Sequence, residues 1–202
     1  MSATVNRREF IAAGSAGFAA VAAGSLVVAV PSVAEAAAPA APEIGAWVVV
    51  QPDERVIVRI ARSEMGQGTL TGLAQLVAEE LQCDWARVTT EYPTPGQNLA
   101  RNRIWGNFST GGSRGIRESQ DYVRKGGAAA RQMLVQAAAQ RWGVAAAECK
   151  AEKGVVTHAA SRRRASYGQL AEAASKLPVP TDVVLKDAKD WTIAGQRLAR
   201  LD

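Results

Sequence analysis

Residues 55–81 read RVIVRIARSEMGQGTLTGLAQLVAEEL and contain two hydrophobic periods in succession. In the first part Val56, Val58 and Ile60 alternate with other residues, which is the period of a strand with one buried face. From Thr69 to Leu81 the apolar residues recur every three or four positions, as on one face of an amphipathic helix. The stretch therefore predicts strand, loop and helix, and an α/β (α+β) fold with a small mixed sheet and amphipathic helices.

The flanking sequence extends this pattern in both directions. Upstream, residues 47–50 are β-rich and the turn-forming residues 51–54 follow them, which favours a hairpin with the strand. Gly126 and Gly127, inside a long helical pattern, either kink that helix or let another backbone approach closely. Downstream the pattern predicts a strand at 88–92, a long polar loop at 93–105, a helix at 113–142 closed by Gly143, a hairpin of 148–151 and 155–158, and a helix running from the capping box at 166–169 to Lys176.

The first residues have the layout of an export signal. Arg7 and Arg8 form a twin-arginine pair, residues 11–30 are uncharged, and Ala34-Glu35-Ala36 offers the small residues that signal peptidase accepts. A retained membrane anchor is the alternative, because the uncharged stretch is about as long as a bilayer-spanning helix. The sequence thus predicts a twin-arginine signal peptide at 1–36, an Ala/Pro linker at 37–43 and a folded periplasmic domain at 44–202.

Composition narrows the classes of ligand. The net charge is +5, but the basic residues are scattered and the one dense run, Arg162-Arg163-Arg164, has no interleaved aromatic residues, which argues against nucleic-acid binding. The two cysteines and one histidine form no CxxC or HExxH motif, so no protein-only zinc or iron–sulfur site is predicted. Cys83 and Cys149 either stay free as two buried thiols or form a disulfide in an oxidising compartment.

Three further polar residues have simple structural explanations. His158 falls in a predicted hairpin with no nucleophile or acid tied to it, so we expect a surface or packing histidine. Glu79 and Glu80 fall in the predicted helix 69–81, with Glu80 opposite its apolar stripe, so we expect solvated charges. No catalytic residue is assigned within the chain.

The first place that suggests chemistry is the loop at residues 63–68, called the first loop below. Gly66 and Gly68 let the backbone turn sharply and come close to a ligand, and Gln67 adds an amide that donates and accepts. The helix that begins at Thr69 directs free backbone amides and its positive dipole end at this loop. The pattern is that of an anion cradle or, equally, of a plain tight turn. It lacks the third glycine of a dinucleotide fingerprint and the Gly-Lys of a Walker A loop.

The second place is residues 109–115, which also open a helix; residues 109–113 are called the second loop below. Its members Thr110, Gly111, Gly112 and Ser113 are small or hydroxylated, as in anion-binding loops at helix N-termini. Arg114 and Arg117 follow and provide charge-assisted bonds for a phosphate. N-capping accounts for part of this composition. Two such loops in one small domain favour a single ligand that both face.

With the residues around them, these loops resemble a known family. Residues 64–69, followed by 72–74 and 78–81, closely resemble the molybdopterin-binding (large) subunit of the xanthine dehydrogenase family. The branch they resemble most is the exported isoquinoline 1-oxidoreductase and aldehyde dehydrogenase type. The resemblance continues along nearly the whole chain, through residues 110–113 with Arg117, 127–128, 130–134, 154–158, 167–170 and 185–187.

The resemblance implies a cofactor, partners and a reaction class. Gly66, Gln67 and Gly68 would contact the pterin–dithiolene part of the cofactor, and residues 110–113 would hold its phosphate or dinucleotide part, as molybdopterin cytosine dinucleotide. The implied partners are a small [2Fe–2S] subunit and, in some members, a c-type cytochrome subunit. The implied reaction is hydroxylation of an aldehyde or N-heterocycle with oxygen from water, with electrons leaving through the [2Fe–2S] clusters.

The sequence also departs from the family pattern. Family large subunits are several times longer, and their catalytic base, a glutamate near the far C-terminus, has no counterpart here. One expectation is therefore a truncated N-terminal portion of a molybdenum oxidoreductase, not catalytic alone, which a second chain with the rest of the large subunit completes. The other is a non-catalytic remnant or exported binding module that keeps the fold without the cofactor.

Overall fold

The computed structural model describes residues 41–202. The predicted signal peptide at 1–36 and most of the predicted linker lie outside the described residues. Glu43, the last residue of the predicted linker, lies in the first strand and pairs there with Val49 of the second strand. The strands are β1 (Glu43–Ile44), β2 (Val48–Val50), β3 (Val56–Arg59), β4 (Val88–Glu91), β5 (Cys149–Glu152), β6 (Val155–His158) and β7 (Arg163–Ser166). The helices are α1 (Thr69–Leu81), α2 (Pro95–Ala100), α3 (Arg114–Arg117), α4 (Gln120–Trp142) and α5 (Tyr167–Ser175).

The predicted hairpin lies in a four-stranded mixed sheet with the order β1-β2-β3-β4. Strands β2 and β3 are antiparallel, with Val48 opposite Val58 and Val50 opposite Val56, and all four valines are buried. Strands β3 and β4 are parallel, so α1 forms the crossover between them. This topology confirms the α/β fold with a small mixed sheet, and it places the first loop beyond the carboxyl end of β3.

The long helices α1 and α4 pack closely because Gly127 has no side chain. A Cβ at Gly127 would lie 2.6 Å from the carbonyl oxygen of Val77, and one at Gly126 would lie 2.7 Å from the Trp47 ring. Helix α4 runs unbroken through both glycines and ends at Gly143, whose φ of 67° is left-handed. Of the two predicted roles for the glycine pair, the structure shows the close approach of another backbone.

A second sheet, antiparallel with the order β5-β6-β7, follows α4. Strands β5 and β6 form the predicted hairpin, and Ser166 with Gln169 forms the predicted capping box at the start of α5. Strand β7 was not predicted. It carries Arg163 and Arg164, has no apolar alternation, and is a strand because it pairs with β6 at the edge of the sheet.

Two further predictions of secondary structure are wrong. The stretch 93–105, expected to be a polar loop, contains α2, because Thr94 and Gln97 form a capping box around Pro95 at the first helical position. The helix expected at 113–142 is two helices, α3 and α4, separated at Ser119. The buried Ser119 hydroxyl accepts a bond from Arg62 Nε (3.0 Å) and another from the Tyr122 hydroxyl (2.6 Å), and so fixes the break.

The carboxylates of Glu79 and Glu80 are buried, so the prediction of solvated charges is wrong. Their exposed fractions are 1% and 0%. Glu79 forms an ion pair with Lys186 and accepts bonds from the amides of residues 192–194. Glu80 pairs with Arg124 at 2.7 Å and accepts a bond from the Lys186 amide at 3.1 Å. The C-terminal segment and Arg124 of α4 thus supply the partners that these buried charges require.

The remaining predictions for single side chains have mixed outcomes. His158 is a packing histidine, as predicted: it is 6% exposed, its Nδ1 lies 2.7 Å from the Ser161 hydroxyl, and its Nε2 lies 3.4 Å from the Glu148 carboxylate. Both cysteines are free thiols, but only Cys83 is buried, whereas Cys149 is partly exposed. Among residues 41–202, no helix is long and apolar enough to cross a bilayer, and no group of three metal-ligating side chains comes together.

Candidate cofactor-binding site

The first loop encloses the carboxylate of Glu64, and this carboxylate occupies the amides that a bound anion would use. The amides of Gly66 and Gly68 each donate to Glu64 Oε1 at 2.8 Å, and the amide of Leu70 donates to Oε2 at 2.9 Å. These amide bonds, with that from Leu70 first, hold the pKa of Glu64 below its usual range. The expected anion cradle therefore exists, but its anion is a side chain of the protein.

The other polar groups of the first loop are also engaged. The Gln67 side chain accepts from the Met65 amide at 2.5 Å and donates to the Ser63 carbonyl at 2.8 Å. The Glu64 amide donates to the hydroxyl of Tyr92, just beyond β4, at 3.1 Å. The loop is exposed at Met65, Gly66 and Gln67, yet its own hydrogen bonds hold it in one shape.

The second loop has the opposite character, because its amides are unengaged. No residue in the described part of the chain accepts a hydrogen bond from the amides of 110–113. Gly112 and Ser113 both have a φ of 57°, in the left-handed region, where a serine is uncommon. The Arg114 guanidinium donates to the Gly111 carbonyl at 3.1 Å, and Arg117 donates weakly to the Gly112 carbonyl at 3.5 Å. Two positive side chains thus flank a run of free donors.

The structure brings the two loops into contact. The Ser63 amide donates to the Thr110 hydroxyl at 2.9 Å. Arg62, which is 7% exposed, donates to the Ser109 carbonyl and lies 3.4 Å from Asn107 Oδ1. The contact joins the segment after β3 to the segment before α3, far apart in sequence.

Thr69 is the one predicted site residue that lies behind the loops. It is 4% exposed, and a Cβ at Gly115 would lie 2.8 Å from its hydroxyl oxygen. The side chain of Thr69 therefore packs α1 against α3. The seven other predicted residues, Gly66, Gln67, Gly68, Thr110, Gly111, Gly112 and Ser113, are exposed or partly exposed on the two touching loops. Their contacts with a cofactor remain predictions.

Residues 4–197 match the family described as molybdopterin cofactor-binding domain. The chain belongs to this family. The match, together with the relatives below, confirms the predicted resemblance to the molybdopterin-binding subunit of the xanthine dehydrogenase family. Within this molybdopterin cofactor-binding family the two touching loops are the candidate contact surface for the cofactor.

Three curated proteins show how the molybdopterin cofactor-binding chain relates to longer ones. The beta subunit of the isoquinoline 1-oxidoreductase of Brevundimonas diminuta is 39% identical over 172 residues, which cover 82% of the chain and 22% of that protein. The membrane-bound aldehyde dehydrogenase (pyrroloquinoline-quinone) of Gluconacetobacter polyoxogenes is 32% identical over 61% of the chain and 15% of its own length. A subunit of the nicotinate dehydrogenase of Pseudomonas putida is 28% identical over 79% and 13%. The chain thus spans about a fifth or less of these relatives.

The donor groups of the two loops fit different parts of a molybdopterin cofactor. The free amides of residues 110–113, with Arg114 and Arg117 beside them, suit the oxygens of a phosphate. The amides of the first loop are not available to an anion, because Glu64 holds them. What the first loop offers is the Gln67 side chain beside exposed glycine backbone; its second N–H and second lone pair have no partner among residues 41–202. That combination suits a polar, uncharged edge of the cofactor.

Sequence reasoning missed two residues that shape this site. Arg62 gives no local signal, because its partners Ser109 and Ser119 lie far along the chain. Glu64 does give one: an acidic residue two positions before Gly66 and four before Gly68 can reach both amides at a helix N-terminus, where negative charge is favourable.

Proposed function

We propose that this chain forms part of the cofactor-binding surface of a molybdenum hydroxylase that oxidises aldehydes or N-heterocycles. Membership of the molybdopterin cofactor-binding family supports the cofactor class. The relatives named for isoquinoline, aldehyde and nicotinate oxidation support the substrate classes. The observation that carries the proposal is the contact between Ser63 and Thr110, which makes one surface of the two loops.

Each loop binds a different part of the cofactor. The amides of residues 110–113 bind the phosphate of the cofactor, in its cytosine dinucleotide form, and Arg114 and Arg117 balance its charge. The first loop holds Gln67 beside the pterin end, where its free N–H and lone pair orient a polar edge. The molybdenum cofactor, when bound, supplies a two-electron oxidation that takes its oxygen from water.

The proposal extends to location and partners. The Arg7-Arg8 signal supports export to the periplasm in the folded state, with the cofactor inserted beforehand. The electrons leave through the [2Fe–2S] clusters of a small partner subunit, and a c-type cytochrome subunit is a further partner in this scheme. The catalytic base and most of the substrate pocket belong to polypeptide outside residues 1–202.

Molybdenum content tests the proposal directly. The tagged protein is purified from its native host with whatever co-purifies, and metal is measured per chain. We expect stoichiometric molybdenum together with a longer polypeptide and an iron–sulfur subunit. A folded protein without molybdenum and without partners would overturn the proposal.

A matched pair of variants at Gly111 tests whether the molybdenum content depends on the second loop. In the described structure, a Cβ at Gly111 meets no atom within 4 Å and its φ is not left-handed, so side chains fit there. Gly111→Asp places a carboxylate among the amides and repels a phosphate, whereas Gly111→Asn has the same shape without the charge. We expect molybdenum to be lost in the aspartate variant and kept in the asparagine variant. Equal content in both would separate the loop from cofactor binding.

A second candidate function follows from the first loop. Because Glu64 satisfies the amides of Gly66, Gly68 and Leu70, this loop needs no ligand to be stable. That favours an exported binding module which keeps the fold without the cofactor. Its signature is a folded, metal-free protein whose melting temperature is the same in the two Gly111 variants.

A further inference from the structure

Glu64 is a shielded carboxylate in an exposed loop. Its side chain is 11% exposed, and its oxygens accept three backbone hydrogen bonds from the turn that leads into α1. Within the part of the chain that the structure describes, its one ion-pair partner is Arg200, whose guanidinium lies 3.8 Å away and also pairs with Asp202. The backbone amides, more than any ion pair, are therefore the partners of this charge.

The bonds to Glu64 determine where Gln67 lies. Gln67 is between the two glycines whose amides bind Glu64, and both have a positive φ, 93° at Gly66 and 78° at Gly68. Glycines visit many backbone conformations when nothing restrains them. With Gly66 and Gly68 fixed by one carboxylate oxygen, the turn is closed, and the Gln67 side chain bonds across it to Met65 and Ser63.

We propose that Glu64 is a positioning residue, a built-in anion that closes the first loop and thereby fixes the Gln67 side chain towards the cofactor. This inference rests on the proposed function for the role of Gln67, but not for the shape of the loop. It has a consequence for binding: a phosphate is excluded from the first loop by like charge, so the anionic part of the ligand goes to residues 110–113.

Two variants and one control test the positioning role in the full chain. Glu64→Gln keeps the shape of the side chain but offers one acceptor oxygen and an NH₂ group that faces amide donors. Glu64→Ala removes the group altogether. Glu172→Gln neutralises an exposed carboxylate that pairs only with Lys176 among the described residues, and serves as the control.

Residue-resolved amide hydrogen exchange, measured by NMR, reports on the hydrogen bonds of the first loop and requires no bound cofactor. In both Glu64 variants we expect exchange at Gly66, Gly68 and Leu70 to rise by about tenfold or more, since each amide loses a charge-assisted bond. The side-chain NH₂ of Gln67 should lose its protection in parallel, while the core of α1 and the melting temperature change little. Sodium formate, a small carboxylate, should restore the protection in Glu64→Ala, and sodium chloride at equal ionic strength should not. The control should match the wild type.

The outcomes separate the inference from the proposed function. Unchanged exchange at the loop amides and at Gln67 in both variants would overturn the positioning role, whatever the metal content. A wild-type protein free of molybdenum would overturn the proposed function, while the exchange and formate results would still decide the role of Glu64. If the wild-type protein contains molybdenum, we expect several-fold less molybdenum in Glu64→Gln than in Glu172→Gln. Equal content in the two variants would overturn the role of Glu64 in cofactor binding.

Discussion

Glu79, in the last turn of α1, forms a buried ion pair with Lys186, which lies 107 positions further along the chain. Burial acts to raise the pKa of Glu79, but the Lys186 ammonium and the amides of Ile193, Ala194 and Thr192 together outweigh it, so the pKa lies below its usual range. The second oxygen of Glu79 accepts all three of those amide bonds. One carboxylate thus ties the extended C-terminal segment to the helix that supports the first loop.

Neutralising this carboxylate should strongly destabilise the fold. Glu79→Gln leaves the Lys186 charge buried and gives the three amides a poorer acceptor, so we expect the free energy of unfolding to fall by about 3 kcal/mol. The measurement is urea denaturation at neutral pH. Glu172→Gln, on the exposed side of α5, should leave it nearly unchanged. A loss at Glu79 no larger than in this control would show that the pair does not hold the C-terminal segment.

The contact between α1 and α4 predicts that a glycine-to-alanine substitution, which normally stabilises a helix, destabilises the fold at Gly127. In an exposed helix, glycine to alanine gains about 1 kcal/mol. At Gly127 the added methyl would meet the Val77 carbonyl oxygen at 2.6 Å, so we expect Gly127→Ala to lose about 1–3 kcal/mol instead. Thermal denaturation of this variant beside Gln136→Ala, at an exposed site on the same helix, measures the difference. A more stable Gly127→Ala protein would contradict the close approach.

Local patterns predicted the parts of the fold that local physics determines. Helix α1 has the predicted bounds because its apolar stripe and the glycine before it both act within one segment. Strand β7 was missed because Arg163 and Arg164 have no strand pattern, and only pairing with β6 makes them one. The burial of Glu79 was missed for the same reason, since its partners come from residues 186–194.

The candidate site also has a part that the sequence predicted and a part that it did not. Glycines and small hydroxylated residues marked both loops, and the structure brings them together through Ser63 and Thr110. The sequence did not show that the two loops differ in their free donors. That difference depends on one side-chain conformation, in which the Glu64 carboxylate turns back to the amides of its own loop; the spacing of Glu64 before Gly66 and Gly68 allows this conformation but does not by itself determine it.

Acid should weaken the ion-pair network that Glu43 forms with Arg59 and Arg101. Hydrogen bonding to Arg101, and then to Arg59, lowers the pKa of Glu43 from 4.5 to about 2. A carboxylate with a lowered pKa stabilises the fold above its unfolded value and loses that effect as the pH falls through the folded value. The stability difference between wild type and Glu43→Gln should therefore be constant above pH 4.5 and shrink towards pH 2. Chemical denaturation at several pH values measures it, and a difference independent of pH would contradict the assignment.

The two cysteine thiols should differ in their reactivity towards a thiol reagent. Cys83 is 3% exposed and burial raises its pKa to about 12. Cys149 is partly exposed, and partial burial also raises its pKa. We expect a thiol reagent to modify one cysteine slowly in the native protein and both in denaturant, since the thiolate is the reactive form. Cys149→Ser should abolish the native reaction and Cys83→Ser should leave it. Failure to react in denaturant without a reductant would indicate a disulfide instead.

The bond between Ser63 and Thr110 should couple the two loops, and a pair of substitutions at Thr110 isolates it. Thr110→Val has nearly the same shape but no acceptor, so the Ser63 amide loses its partner and its exchange should rise by about tenfold. Thr110→Ser keeps the hydroxyl and should exchange as the wild type does. Because both loops face one ligand in the proposed function, the valine variant should also retain less molybdenum than the serine variant. Faster exchange with equal molybdenum would mean that the bond shapes the loops without serving the cofactor.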